Sequence, residues 1–342
     1  GRSEELRSSG RLESAASRET VFLLNNLVLA AFTFTVLLGT LFPLVAEAIR
    51  GVRVTVGEPF FNRMTLPLAV MLLFLVGVGP VLPWGRAGGR HLKRFAVPGV
   101  IGLLALVAYL AVGARDVLAV LGFAFAGFAL AANLGEFVIG AMARRRAHGE
   151  NPLTATWRLV MANPRRYGGY TAHIGILLLS VGIIASSTFT TDREFTLSKG
   201  ETAEVGDYTL RFEDIWGSDE PRRFVINAQV AVMKGGEQIA VMNPRLNYYQ
   251  MSDSPISTPA VRTRLDEDLY LTLMAFEQDG STVTLRALVE PMVAWIWIGG
   301  LLMGVGAGIA LLYRSRRADD SRPRTPRPAP SRPARQREGV PA

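Results

Sequence analysis

Residues 165–191 read RRYGGYTAHIGILLLSVGIIASSTFTT, and the six that follow read DREFTL. Two arginines precede a run, Tyr167–Thr191, with no formally charged side chain, and then charge returns in both signs. A run of about 20 apolar residues in helical form crosses a hydrocarbon core of roughly 30 Å. The stretch therefore predicts a transmembrane helix that emerges into something of a different kind. One ionisable residue, His173, is embedded in it.

The same pattern recurs along the chain. Uncharged runs occur at Val21–Ala46, Met64–Gly85, Phe95–Ala114, Val117–Gly135 and Pro291–Tyr313 as well, giving six predicted spans. Of the 342 residues 49% are hydrophobic and only 19% charged, against roughly 25% charged in an average soluble domain. The mean hydropathy is +0.24. Six such runs exclude a soluble protein with long buried helices.

Arginine and lysine then orient the spans, because their excess marks the cytoplasmic side. Arg86, Arg90, Lys93 and Arg94 lie between spans two and three; Arg144, Arg145, Arg146, Arg158, Arg165 and Arg166 lie between spans four and five; Arg314, Arg316 and Arg317 follow span six. The alternate loops are balanced or nearly empty, with Arg50, Arg53 and Arg63 against Glu47 and Glu58, and Arg115 beside Asp116. All basic segments fall on one side of a six-span chain. This predicts cytoplasmic termini, an external segment 189–290 and a plasma (inner) membrane location. The net charge of +8 is then a topology signal, and no nucleic-acid partner is expected, since no basic stripe is interleaved with aromatics.

Segment 189–290 has a different grain. Alternating stretches at Glu194–Leu197, Tyr208–Phe212, Phe224–Met233, Gln238–Met242, Leu269–Phe276 and Thr282–Leu288 are separated by turn signals, Lys234-Gly235-Gly236-Glu237 and Asp279-Gly280 among them. Short strands of this kind predict a small antiparallel barrel or sandwich. The expected organisation is a cytoplasmic segment (1–20), a five-helix membrane region (21–188), an external β domain (189–290), a sixth membrane helix (291–313) and a disordered, Pro- and Arg-rich basic tail (314–342) suited to anionic lipid. Trp295 and Trp297 fall where an interfacial aromatic belt is expected. The first residue is Gly, and the charged lead reads as a loop, so the chain is expected to begin partway through a longer one.

There is no cysteine, which excludes thiol chemistry, iron–sulfur ligation and zinc held through sulfur. Of three histidines, His91 and His148 sit among loop arginines and read as solvated. His173 lies within a span, where an ionisable side chain is expensive and marks a functional site by default. Its candidate roles are haem or metal ligand, proton relay, or a helix–helix hydrogen bond. At about 100° per residue, Arg166, Gly169, Tyr170, His173 and Ser180 share one face, and Gly168, Gly175 and Gly182 form a separate stripe. The first face suits a flat anionic macrocycle, with Gly169 leaving room and Arg166 within reach of a carboxylate. The glycine stripe suits close helix packing, as do Gly304, Gly306 and Gly308 in span six. Asn25, Asn26, Asn133 and Glu136 read as polar groups stabilising helix contacts.

Five separated stretches, SRETVFLLNN (17–26), LLGTLFP (37–43), VGEPFFN (56–62), RYGGYTAHIG (166–175) and PMVAWIWIGG (291–300), resemble the CcmF family, the haem lyase subunit of system I cytochrome c maturation. The resemblance spans about residues 17–313 and only the family's C-terminal half. It implies that His173 is an axial ligand of a transmembrane haem b, with Arg166, Gly169 and Tyr170 in the haem surroundings. It implies as partners a haem-delivering chaperone, apocytochrome c with its thiol-handling subunits, and the lyase's N-terminal half. The family's tryptophan-rich external loop, its two flanking histidines and the second haem b ligand have no match, since Trp84, Trp157, Trp216, Trp295 and Trp297 form no cluster. The resemblance therefore points to a gene fragment or a split-gene product that does not complete haem attachment alone. A non-enzymatic scaffold for assembly partners and a b-type electron carrier are the competing classes.

Overall fold

A computed structural model describes residues 14, 16–85, 88–250 and 254–319, without the side chains of residues 90 and 313–319. Most of the expected cytoplasmic lead, the loop residue Arg86 and the tail beyond residue 319 lie outside the described residues. Six described helices are long and apolar enough to cross a membrane. They belong to α1 (Arg18–Arg50), α2 (Glu58–Val81), α4 (Ala96–Ala111, preceded by the short α3, Gly89–Leu92, and a 3-10 turn), α5 (Val117–His148), α7 (Pro164–Phe189) and α8 (Val293–Asp319). Helix α8 runs beyond Tyr313 to Asp319. The amphipathic α6 (Pro152–Ala162) joins α5 to α7.

Local chemistry sets the helix ends. Ser17 accepts from the Thr20 N–H at the start of α1, and Asp116 accepts from Ala119 N–H at the start of α5. Each cap satisfies one of the first-turn donors that lack an intrahelical partner. Helix α5 is the hub and packs on α2, α4, α6 and α7. Helices α1 and α8 are peripheral, resting mainly on α2 and α7 respectively.

The closest helix pair is α7 with α8. A Cβ added at Gly168 would lie 2.6 Å from Ala310 N, one at Gly175 2.6 Å from Gly299 O, and one at Gly182 2.8 Å from Ile296 Cγ1. The predicted glycine stripe is thus the contact surface. Its counterpart on α8 is Gly299 and Gly306; Gly304 and Gly308 face open space. Of the three span-six glycines expected to pack, one does.

The described residues of 191–291 form an antiparallel sandwich of ten strands: β1 (Thr191–Ser198), β2 (Thr202–Val205), β3 (Tyr208–Glu220), β4 (Arg223–Lys234), β5 (Glu237–Met242), β6 (Arg245–Tyr249), β7 (Ile256–Thr258), β8 (Ala260–Arg262), β9 (Glu267–Phe276) and β10 (Thr282–Pro291). One sheet has the order β1-β10-β9-β8; the other has β2-β3-β4-β6-β7, with β5 on β4. Alternate residues point inward, so Tyr208, Leu210 and Phe212 of β3 meet Leu269, Leu271 and Leu273 of β9 in a core at 0–1% exposure. The Gly235-Gly236 turn has φ of 63° and 84°, the left-handed pair that a tight hairpin needs.

All six predicted stretches are strands, and four more exist. The short β2, β6, β7 and β8 carried little alternation, and β3 continues past Phe212 through polar Glu213–Glu220, paired with β4 after a bulge at Phe212/Asp214. Pairing there comes from the partner strand, not from burial. Strands β1 and β10 pair along their length and lead directly into α7 and α8. Met292, at φ 60°, makes the bend from β10 to α8. The sandwich is therefore an extension of the α7–α8 hairpin, at the end opposite Arg165 and Arg166. Trp295, expected to be a simple interfacial anchor, donates its indole N–H to Leu265 O at 2.9 Å and ties α8 to the domain; Trp297 is exposed.

Candidate functional site

Helices α1, α2 and α7 enclose a cleft of about 210 Å³ lined chiefly by Arg18, Phe22, Asn25, Trp84, Tyr170 and His173. Its walls are mostly apolar. The periodicity of α7 places Tyr170 and His173 one turn apart on the cleft side. At Gly169 nothing lies within 4 Å of where a Cβ would stand, so that flank of α7 is open.

His173 is held from behind. Its Nδ1 lies 3.3 Å from Asn133 Oδ1 on α5. Asn133 is fully buried and donates from Nδ2 to Ala129 O at 2.8 Å and Val76 O at 3.2 Å. A hydrogen bond to the second ring nitrogen is the usual support of a metal-ligating imidazole.

Two turns from His173 toward the basic end, Arg166 is turned away from the cleft. Its Nη2 donates to Glu136 Oε2 at 2.7 Å and its Nε to the Tyr170 hydroxyl at 3.2 Å, with the guanidinium 5.5 Å from the Tyr170 ring centroid. Glu136 is 5% exposed and also accepts from Arg94. Two guanidinium groups on one buried carboxylate compensate its desolvation; removing either leaves charge imperfectly paired.

The cation that does line the cleft is Arg18. It donates to Gly79 O at 3.1 Å and Pro80 O at 2.8 Å, the free carbonyls near the end of α2, and lies 5.7 Å from the Trp84 ring centroid. Trp84 stacks on Phe22 at 5.8 Å. Arg18, expected in the charged loop before span one, is the first residue of α1. The missed signal was Ser17, a helix cap placing Arg18 in the first turn of α1. Asn133 and Glu136 make the helix contacts expected of them, and they are also the groups that touch His173 and Arg166. His148 is exposed at the end of α5, 3.2 Å from Arg144 O, and His91 lies on α3. Among the described residues no cluster of three His, Cys, Asp or Glu could hold a metal.

An apolar cleft with one imidazole, one guanidinium and an open glycine flank fits one face of a haem. The fit is to a face only, since pockets that bury a drug-sized ligand are roughly 300–1,000 Å³ and this one is about 210 Å³.

Residues 188–291 match the family model described as the CcmF C-terminal beta-sandwich. Pseudomonas aeruginosa cytochrome c-type biogenesis protein CcmF is 32% identical over 305 residues, 88% of this chain and 45% of that protein. The chain belongs to the CcmF family. Escherichia coli CcmF is 30% identical over 303 residues, again 88% of this chain and 45% of the relative. A solved structure titled Cytochrome c Heme Lyase CcmF superposes with a TM-score of 0.67 at 30% identity, covering 87% of this chain and 46% of the other. The chain spans about half the length of the curated relatives it matches, and the matched half is the C-terminal one. It is a multi-pass membrane protein with a β-sandwich after the fifth of its described membrane helices.

Proposed function

We propose that this chain is the C-terminal half of a haem lyase that attaches haem to apocytochrome c, and that His173 is one axial ligand of a haem b held within the membrane. The observation that carries the reading is the position of His173: an imidazole on a membrane helix, facing an apolar cleft, with its far nitrogen against a buried amide. Bound haem b supplies one-electron redox chemistry at its iron. The residues of this chain hold and shape one face of it. Tyr170 and Phe22 exclude water, Gly169 leaves the flank clear, and Arg18 offers a cation to a carboxylate, with Arg166 behind it on Glu136. The cleft covers one face, so the opposite wall and second ligand belong to the lyase's N-terminal half. Apocytochrome c with its thiol-handling subunits and a haem-delivering chaperone are the further partners, met by the β domain.

The distribution of arginine supports an inner-membrane topology with cytoplasmic termini and an external sandwich. Reporter fusions after Gly149 and after Thr191 are expected to give opposite compartments. In the membrane-purified complex, His173→Ala is expected to lose the low-spin b-type absorbance and most cytochrome c assembly, with added imidazole restoring part of both. An unchanged b-type spectrum at matched protein levels overturns the ligand assignment and leaves a packing histidine. Arg166→Ala is expected to cost less haem, since it removes a charge-assisted contact of roughly 1.5–3 kcal/mol beside the site.

A further inference from the structure

Asn133 sits on α5 with no exposed surface, and its amide is fixed at both ends. Nδ2 donates to Ala129 O, one turn back on α5, and to Val76 O on α2. With both N–H groups directed at carbonyls, the end of the amide that faces α7 is its oxygen, and Oδ1 lies 3.3 Å from His173 Nδ1. An amide oxygen accepts and cannot donate. Nδ1 must therefore carry the proton, and a neutral imidazole protonated at Nδ1 has its lone pair on Nε2.

We propose that Asn133 is the positioning residue for His173: it selects the Nδ1–H tautomer, fixes the ring plane and presents the Nε2 lone pair to haem iron. The proposal rests on the reading of His173 as a ligand. Three helices are tied at one point, because the amide joins α2 and α5 through Val76 O while its oxygen engages α7. The arrangement also sets ligand strength. An imidazole whose Nδ1–H is hydrogen-bonded is more basic at Nε2 and favours ferric iron, and one stripped of its acceptor favours it less. Asn133 is thus a tuner of potential as well as a brace.

The test uses the haem-loaded complex purified from membranes through this chain, with Asn133→Leu and Asn133→Asp. Leu fills a similar volume without an acceptor. Its expected effect is about a 10- to 100-fold loss of haem affinity and a higher midpoint potential, each tenfold bias against the ferric state appearing as about 59 mV. Asp keeps an acceptor oxygen toward Nδ1, while its second oxygen faces Ala129 O and Val76 O and takes a proton to donate there, so haem is retained and the potential stays near the parent's. A raised potential in Asn133→Leu beside a near-parent one in Asn133→Asp establishes the role. Lower protein levels with an unmoved potential in both variants overturn it, because a purely packing asparagine acts on the fold alone. Should Asn133→Leu not accumulate, Asn133→Ala takes its place: a raised potential supports the proposal and an unchanged one overturns it. His173→Ala separates the two layers. If it keeps haem, the ligand reading fails and this proposal with it; if it loses haem while both Asn133 variants match the parent, only the proposal for Asn133 fails.

Discussion

The β sandwich and the helix bundle are built on opposite terms. In the sandwich, Phe212, Leu271, Leu273 and Leu285 are fully buried in one continuous apolar core drawn from both sheets. In the bundle, the tightest contacts are glycine against backbone along α7 and α8, and buried side chains include Asn133 and Glu136. The physical reason is the solvent. Water drives apolar side chains together in the domain, whereas lipid is as apolar as leucine, so membrane helices associate through small-residue packing and polar bonds. Large apolar side chains consequently cover the outside of α1, where Phe22, Leu27, Phe34 and Leu44 are more than half exposed. The domain buries its core between its own two sheets, whereas the cleft of the bundle is lined by apolar and polar side chains together.

That contrast is open to direct attack. The largest expected effect is in the sandwich. Residues 190–291 expressed alone are expected to melt cooperatively with a β-type circular dichroism spectrum, and Phe212→Ala to lower their stability by about 3–5 kcal/mol, as for other buried aromatic truncations. A random-coil spectrum for the parent domain would break the comparison. Next comes Gly175→Leu, whose new side chain meets Gly299 O across the α7–α8 contact. Overpacking there is expected to cost about 1–3 kcal/mol, read as earlier unfolding of the detergent-solubilised protein, while the isolated domain, which lacks both helices, is untouched. The smallest effect concerns pH. Asp192 at the start of β1 accepts from Arg286 of β10 at 3.0 and 2.5 Å, and that pairing holds its carboxyl below the ordinary carboxylate range. A depressed folded value stabilises above the unfolded value of about 3.9, and the gain is lost as pH falls through the folded value. Asp192→Asn is therefore expected to flatten the acid limb of the domain's melting profile slightly, since both partners are solvent-exposed and salt screens the pair.

Much of the architecture was legible from residue order. Charge-free runs located all six membrane helices because a lipid core tolerates so little else. Alternation located the strands whose faces are divided between core and water. Where those signals fade, so does legibility. Segment Glu213–Glu220 is a strand only because β4 pairs with it, and β6 holds a buried Asn247 whose Nδ2 donates to Ile256 O and Thr258 Oγ1. In the membrane region, periodicity correctly separated the His173 face of α7 from its glycine face. It did not reveal which way Arg166 turns, because a long side chain on a helix face has several partners within reach.

Sequence by itself determined the class of each segment, the histidine embedded in a charge-free span and the family, since these depend on local composition and order. Only the tertiary structure decided that Arg18 rather than Arg166 lines the cleft. It alone also brought Asn133, 40 positions away in the chain, to the back of the His173 ring. Both facts depend on how α1, α2, α5 and α7 pack on one another, and an imidazole's tautomer is set by whichever atom that packing delivers to it.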